Sequence, residues 1–369
     1  MKEIITVTKP DLPPLERYVK YLEIIWKNRW LTNNGELVQL FEKKLRDCLG
    51  VKNIAVVCNG TLALHIALKV FDLKGEVITT PFTFAATTNA IIWEGLSPVF
   101  ADIDPETFNI DPSDVERKVT KDTSAILAVH TYGNPCYVEE LEKIAEEYNL
   151  KLIYDAAHAF GVEYKNKSVL CYGNLSTLSF HATKIFHTIE GGAVVVDDDA
   201  LHEKVELLRN HGIKSEEETL LVGTNAKMNE FQAAMGLCNL EDIVDRIQRR
   251  KMIYELYKER LSEMCVAFQK IIASKYNYAY MPVLFERREE RDRVYSELAK
   301  NNIKPRKYFY PLTPNFDYFT KKGEDYCIKY NLKNAIDVSN RVLCLPLYPD
   351  LNISTIEKII DIIKDTVKG

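Results

Sequence analysis

A lysine that follows closely on a buried apolar strand is an unusual place for a solvated amine. In Ser179-Phe180-His181-Ala182-Thr183-Lys184 the lysine comes just after the apolar run STLSF, and Glu190-Gly191-Gly192-Ala193 then turns the chain back into a fresh strand. Loss of solvation would lower the pKa of Lys184 and make it a competent amine for Schiff-base chemistry; the plainer alternative is a surface lysine in a loop. Asp155 ends the run LKLIYD and is followed by AAHAFG. A carboxylate among apolar neighbours can keep a proton on a partner's nitrogen, and the small residues at 156, 157 and 159 would let a flat ligand lie against the backbone; a helix-capping aspartate is the alternative. Cys58-Asn59-Gly60-Thr61 follows a strand and opens a helix, where free N–H groups can receive a phosphate, or where Thr61 simply caps a tight turn. Phe82 and Phe84 in TPFTF stand where an aromatic can stack on a heteroaromatic ring, or fill the core. A phosphate turn, a ring-facing carboxylate, a stacking aromatic and an amine are together what pyridoxal 5'-phosphate requires.

The elements that must position these residues are legible as alternating patterns. IAVV, EVITT, PVFADI, AILAVH, LKLIYD, STLSF and AVVVDD are seven candidate strands, most of them continuously apolar, with helical stretches between them. Such runs predict strands buried on both faces of a mainly parallel sheet, in a three-layer α/β/α domain whose ligands bind beyond the carboxyl ends of the strands. Residues 240–264 predict one long helix connecting two domains. The rest predicts a smaller α+β domain, with strands in YAYMPVLF and RVLCLPLYP, a helix in REERDRVYSELAKNN and a closing amphipathic helix in ISTIEKIIDIIKDTV. The division expected is 1–245 and 246–369, with the N-terminal segment contacting the small domain.

Composition narrows the class. The chain of 369 residues has a formal charge of -5, which argues against nucleic acid or an anionic membrane surface as partner. No apolar run is long enough for a membrane span, and the start has no secretory h-region. Eight cysteines without a CxxC pair predict reduced thiols in a cytoplasmic protein, so the sequons at Asn59 and Asn174 carry no weight. No metal site is expected, because His130, His158, His181 and His187 match no compact ligand spacing.

Nearly end to end, the chain resembles the DegT/DnrJ/EryC1/StrS sugar aminotransferases, pyridoxal-phosphate enzymes of the aspartate-aminotransferase fold (fold type I). The resemblance rests on LTNNG, NGTLAL, TPFTFAAT, VHTYGNPC, YDAAHAFG, SFHATK, EGGAVV, KMNEFQAA and CLPLYP. It implies that Lys184 bonds the cofactor and shuttles protons and that Asp155 pairs with the pyridine nitrogen. His158 stands where the family often has Gln, against the phenolic oxygen. Phe84 would stack on the ring, and Gly60, Thr61 and Ser179 would hold the phosphate. Asn225 would reach the phosphate of a neighbouring subunit, so the resemblance implies a homodimer with shared sites. Asn33, Asn34, Lys307, Tyr308 and Tyr310 would meet the nucleotide sugar. Many members have an Arg where this chain has Lys227, which removes a bidentate fork.

The resemblance further implies transamination from L-glutamate to a dTDP-linked 4-keto-6-deoxyhexose, giving dTDP-4-amino-4,6-dideoxyglucose for a surface polysaccharide such as O-antigen. Amination of a 3-keto isomer is the competitor. A sensor that binds cofactor and nucleotide sugar without turnover is the alternative of another class.

Overall fold

The computed structural model describes residues 4–321 and 323–368. Residues 1–3, 322 and 369 of the two expected domains lie outside them.

All seven candidate strands form, in one sheet. In chain order they are β1 (Asn53–Val57), β2 (Glu76–Thr79), β3 (Ser97–Phe100), β4 (Thr123–Val129), β5 (Lys151–Asp155), β6 (Leu175–Ser179) and β7 (Gly192–Val196). Their order across the sheet is β1-β7-β6-β5-β4-β2-β3. β7 runs antiparallel to both of its neighbours, and every other pairing is parallel. The continuous apolar runs have a simple cause. Alternate residues of each strand enter two different cores: Ile54, Val56, Tyr154 and Val195 face one, and Ala55, Val57, Ile153 and Val194 the other. Each large apolar side chain so buried contributes roughly 1.5–3 kcal/mol, so slipping a strand by one residue would exchange whole faces.

The long helix spans Glu230–Leu261 rather than starting near residue 240. Its first turns lack the alternating charges of a solvated helix because they are internal: Ala233, Ala234 and Gly236 are buried against the helix Glu36–Leu49, and a Cβ on Gly236 would stand 2.5 Å from the Phe41 ring. A capping box between Asn229 and Gln232 fixes its start. The Glu230 carboxylate accepts the amides of Leu37 and Val38 at 2.9 and 3.0 Å, capping the N-terminus of the neighbouring helix. The expected boundary at 245 falls inside this continuous helix.

Beyond it, Val266–Phe268, Met281–Phe285 and Val342–Leu345 form an antiparallel three-stranded sheet. Ile356, Ile359, Ile360 and Ile363 of the closing helix, spaced along one face, pack on this sheet with Val283, Phe285 and Leu343. The chain start is tied to the same region: Ile5–Thr6 pairs in parallel with Ile303–Lys304. Asp11 then forms an ion pair with Arg246 of the long helix, and its carbonyl meets His187 Nε2 at 2.9 Å.

Candidate active site

The carboxyl ends of β1, β2, β5 and β6 open into one cleft of about 310 Å³. Gly60, Thr61, Phe84, Asp155, His158, Ser179, Lys184 and Tyr308 all line it. Lys184 sits in the loop between the antiparallel pair β6 and β7. That loop is pinched at its base, where Phe180 N–H donates to Gly191 O at 2.8 Å and Thr188 N–H to Phe180 O at 2.9 Å. Burial lowers the Lys184 pKa to about 8, and the nearby Asp155 charge works in the other direction.

Asp155, at the last position of β5, is buried. Its Oδ2 accepts from Thr87 Oγ1 at 2.8 Å and its Oδ1 from Ala157 N–H at 3.1 Å. Thr87 Oγ1 is in turn 2.8 Å from Thr83 Oγ1. Burial pushes the carboxyl pKa up; the Thr87 hydroxyl, the Ala157 amide and the Lys184 charge pull it back. A buried carboxylate with only neutral donors at hydrogen-bond distance suits a protonated ring nitrogen brought in by a ligand. His158 is buried, stacked on Phe309 at 6.2 Å and edge-on to Tyr280 at 4.9 Å. Burial, then the Lys184 charge, drive its pKa well below the ordinary value, so its imidazole is neutral.

The turn after β1 begins the helix Gly60–Lys69, and its cap is Asn59 rather than Thr61: Asn59 Oδ1 accepts from Leu62 N–H at 2.9 Å. A Cβ at Gly60 would stand 2.8 Å from Ser179 Cβ, so the helix N-terminus and the Ser179 hydroxyl occupy one small region. Backbone N–H groups, a hydroxyl and a positive helix end there suit a phosphate. Phe84 is 60% exposed on the cleft wall, with its ring free to stack, whereas Phe82 is core, edge-on to Phe309 and Tyr132. A carboxylate for a ring nitrogen, an amine of lowered pKa and a phosphate turn in one cleft fit pyridoxal phosphate.

The remaining expected residues lie elsewhere. Asn33, Asn34 and Asn225 line a separate, larger cavity of about 1050 Å³ with Arg209, Lys227 and Met228, and Lys184 is not on its wall. Asn33 and Asn34 take the left-handed conformation, at φ 62° and 58°. Lys307 is ion-paired with Asp292 and lies over the Tyr295 ring at 4.6 Å. Tyr310 is exposed beside Arg288, whose Nη2 donates to its hydroxyl at 3.2 Å. Sequence reasoning missed Thr87, Thr83, Tyr280 and Arg306. The TPFTFAAT run contained both threonines, but nothing in it marks Thr87 as the donor to Asp155. Among the described residues, no group of three His, Cys, Asp or Glu is arranged to hold a metal, and no helix is long and apolar enough to cross a membrane.

The likeness to known proteins covers the whole of this architecture. The model of the DegT/DnrJ/EryC1/StrS aminotransferase family matches residues 15–364. The dTDP-4-amino-4,6-dideoxy-D-glucose transaminase of Shigella dysenteriae is 44% identical over 370 residues, 99% of this chain and 100% of that protein. DesI, solved in the presence of its TDP-sugar product, superposes with a TM-score of 0.92 at 33% identity, covering 100% of this chain and 94% of that one. NtdA of Bacillus subtilis, solved with bound cofactor PMP, does so with a TM-score of 0.88 at 26% identity, covering 96% and 82%. With the family model spanning all but the ends of the chain and a relative matched over its full length, the chain belongs to the DegT/DnrJ/EryC1/StrS aminotransferase family.

Proposed function

We propose that this pyridoxal-phosphate aminotransferase moves the amino group of L-glutamate to C4 of a dTDP-linked 4-keto-6-deoxyhexose, yielding dTDP-4-amino-4,6-dideoxyglucose for a surface polysaccharide such as O-antigen. The observation that carries the chemistry is the meeting of Lys184 and Asp155 in one cleft with the Gly60 turn. The choice of C4 rests on the 44% identity to a 4-amino-sugar transaminase.

When bound, pyridoxal phosphate supplies an electron-poor ring that stores the electron pair left by a breaking C–H bond. Asp155 keeps a proton on the ring nitrogen. Its burial strengthens that contact, and Thr87 and Ala157 hold its oxygens in place. Lys184 Nζ holds the group covalently and, once displaced, moves the proton to and from the reacting carbon. Gly60, Thr61 and Ser179 seat the phosphate, Phe84 covers the ring face, and neutral His158 hydrogen-bonds the phenolic oxygen. Asn33, Asn34, Tyr308, Lys307 and Tyr310 serve the nucleotide sugar.

The working unit is a cytoplasmic homodimer, in which Asn225 completes the phosphate site of its partner. Residues 1–245 form the cofactor domain and 246–369 the small domain. Purified enzyme with L-glutamate should aminate dTDP-4-keto-6-deoxyglucose in preference to its 3-keto isomer. Preference for the 3-keto isomer would reassign the carbon. A visible absorbance that glutamate leaves unchanged would mark a sensor.

A further inference from the structure

We propose that Arg306 is the residue that holds the α-carboxylate of the amino donor, and so sets which amines can load the enzyme. The inference rests on the transaminase reading above and assigns one group within that cleft.

Lys184 and Arg306 are the two lysine or arginine side chains on the cleft wall. Lys184 is committed to chemistry, His158 is held neutral by burial, and the His181 ring, also on the wall, faces Glu190 at 3.5 Å. Arg306 is therefore the fixed cation of the cleft.

Its surroundings set it apart from its neighbours. Arg287, Arg288, Arg291, Lys307 and Arg341 each face a carboxylate within their own domain. Among the described residues the Arg306 guanidinium has no acidic partner; it lies over the Tyr308 ring at 5.7 Å. The backbone beneath it is fixed. Arg306 N–H donates to Cys344 O at 3.1 Å and Cys344 N–H to Arg306 O at 2.8 Å, clamping the segment to the small sheet. An exposed cation on a rigid base, backed by an aromatic face and unneutralised by the protein, is built to receive an anion from outside.

The anionic groups that enter this site in the proposed reaction are the two carboxylates of L-glutamate and a nucleotide diphosphate, and the γ-carboxylate stands three bonds from the α-carbon. The α-carboxylate is one bond from the carbon that carries the transferred nitrogen, so it must lie inside the cleft whenever that nitrogen is at the cofactor. The diphosphate of the sugar is separated from the reacting C4 by the width of the hexose ring. A guanidinium sharing a wall with Lys184 matches the nearest anion, and its planar fork matches a carboxylate with two parallel N–H···O bonds. Glutamate, which brings its own carboxylate, then binds without any acid in the protein having to be displaced.

The test follows each half of the reaction separately, by single-turnover absorbance of the cofactor-loaded wild type, Arg306→Gln and Arg306→Lys. Arg306→Gln should weaken L-glutamate by about tenfold or more, the loss of a charge-assisted pair, with Arg306→Lys between. The keto-sugar half, started from pyridoxamine-loaded enzyme, should change by less than about twofold. L-Isoglutamine, whose α-carboxylate is an amide, should bind the wild type weakly and Arg306→Gln no more weakly. Unchanged circular dichroism and cofactor absorbance of each variant establish that it is folded and loaded. Loss confined to the keto-sugar half would give Arg306 to the diphosphate and overturn the proposal. So would an Arg306→Gln enzyme that responds to glutamate as the wild type does. A wild type blind to glutamate would instead sink the transaminase reading, and this one with it.

Discussion

Thr87 Oγ1 donates to Asp155 Oδ2 at 2.8 Å, and both groups are buried. Thr87 belongs to the helix Ala85–Trp93 and Asp155 ends β5, so one hydroxyl fixes the carboxylate across the gap between two elements. Replacing it with an isosteric methyl, Thr87→Val, leaves Asp155 with the Ala157 amide alone. The expected cost is about 1–3 kcal/mol of folding stability or cofactor affinity, the penalty for an unpaired lone pair on a buried charged group. Equilibrium binding of pyridoxal phosphate and a thermal melt check it. A variant with wild-type affinity and wild-type Tm would show that the bond does not support Asp155.

Lys184→Ala should fold normally and lose turnover by more than about 10³-fold, since both the covalent hold and the proton carrier go with it. Circular dichroism and an amination assay with added cofactor measure the two effects. Turnover at the wild-type rate would refute the assignment.

The pKa of Lys184, lowered by burial to about 8, has two consequences with defined signs. Attack on the cofactor aldehyde needs the neutral amine, so cofactor capture by the free protein should rise about fivefold from pH 7 to 8 and then level off. Unfolding returns the amine to its ordinary value of 10.5, so the unfolded chain binds more protons between pH 8 and 10.5. The group is thus a stability penalty below pH 8, relieved as the pH climbs to 10.5. Lys184→Met should raise the Tm of the cofactor-free protein at pH 7, and the gain should shrink by pH 10. A gain that grows with pH would contradict the sign.

His158 is neutral in the fold because burial, then the Lys184 charge, disfavours its protonated form. A neutral amide should therefore replace it. His158→Gln is expected to keep kcat within about tenfold of wild type, and the acid limb between pH 5.5 and 7 should be the same in both enzymes. An acid limb that vanishes in the variant would mean that the imidazole titrates during turnover.

Asn225 lines the large cavity rather than the Lys184 cleft, as a residue serving a neighbouring subunit would. Two inactive variants, Lys184→Ala and Asn225→Ala, should then complement each other. A mixed dimer has one site with both defects and one with neither, so an equal mixture should recover about a quarter of wild-type activity, for random exchange between two-site dimers. No recovery after verified exchange would place Asn225 in its own subunit's chemistry.

The strands were readable because both faces of each are buried, which leaves an apolar run that no helix boundary interrupts. The start of the long helix was not, because its first turns are internal and small, so the charge pattern that marks a surface helix begins a few turns later. Lys184, Asp155 and the Gly60 turn were readable as polar residues at strand ends. Thr87 and Arg306 were not: Thr87 is marked by a partner distant in sequence, Asp155, and Arg306 by facing the Tyr308 ring with no acid beside it among the described residues. Phe82 and Phe84 share a motif and differ only in which side of the turn they leave by, a property of the folded backbone.

The parallel pairing of Ile5–Thr6 with Ile303–Lys304 has a temporal meaning. Its two strands lie about 300 residues apart in the chain, so the pairing is among the most non-local contacts the described residues make. Ile5–Thr6 can take this pairing only after residues 303–304 exist, and by then all seven strands of the large sheet, the last of them Gly192–Val196, have been synthesised. The ladder that finally receives Ile5–Thr6 ends two residues before Arg306. Tying down Ile5–Thr6 and placing Arg306 on the cleft wall thus depend on the same stretch of chain.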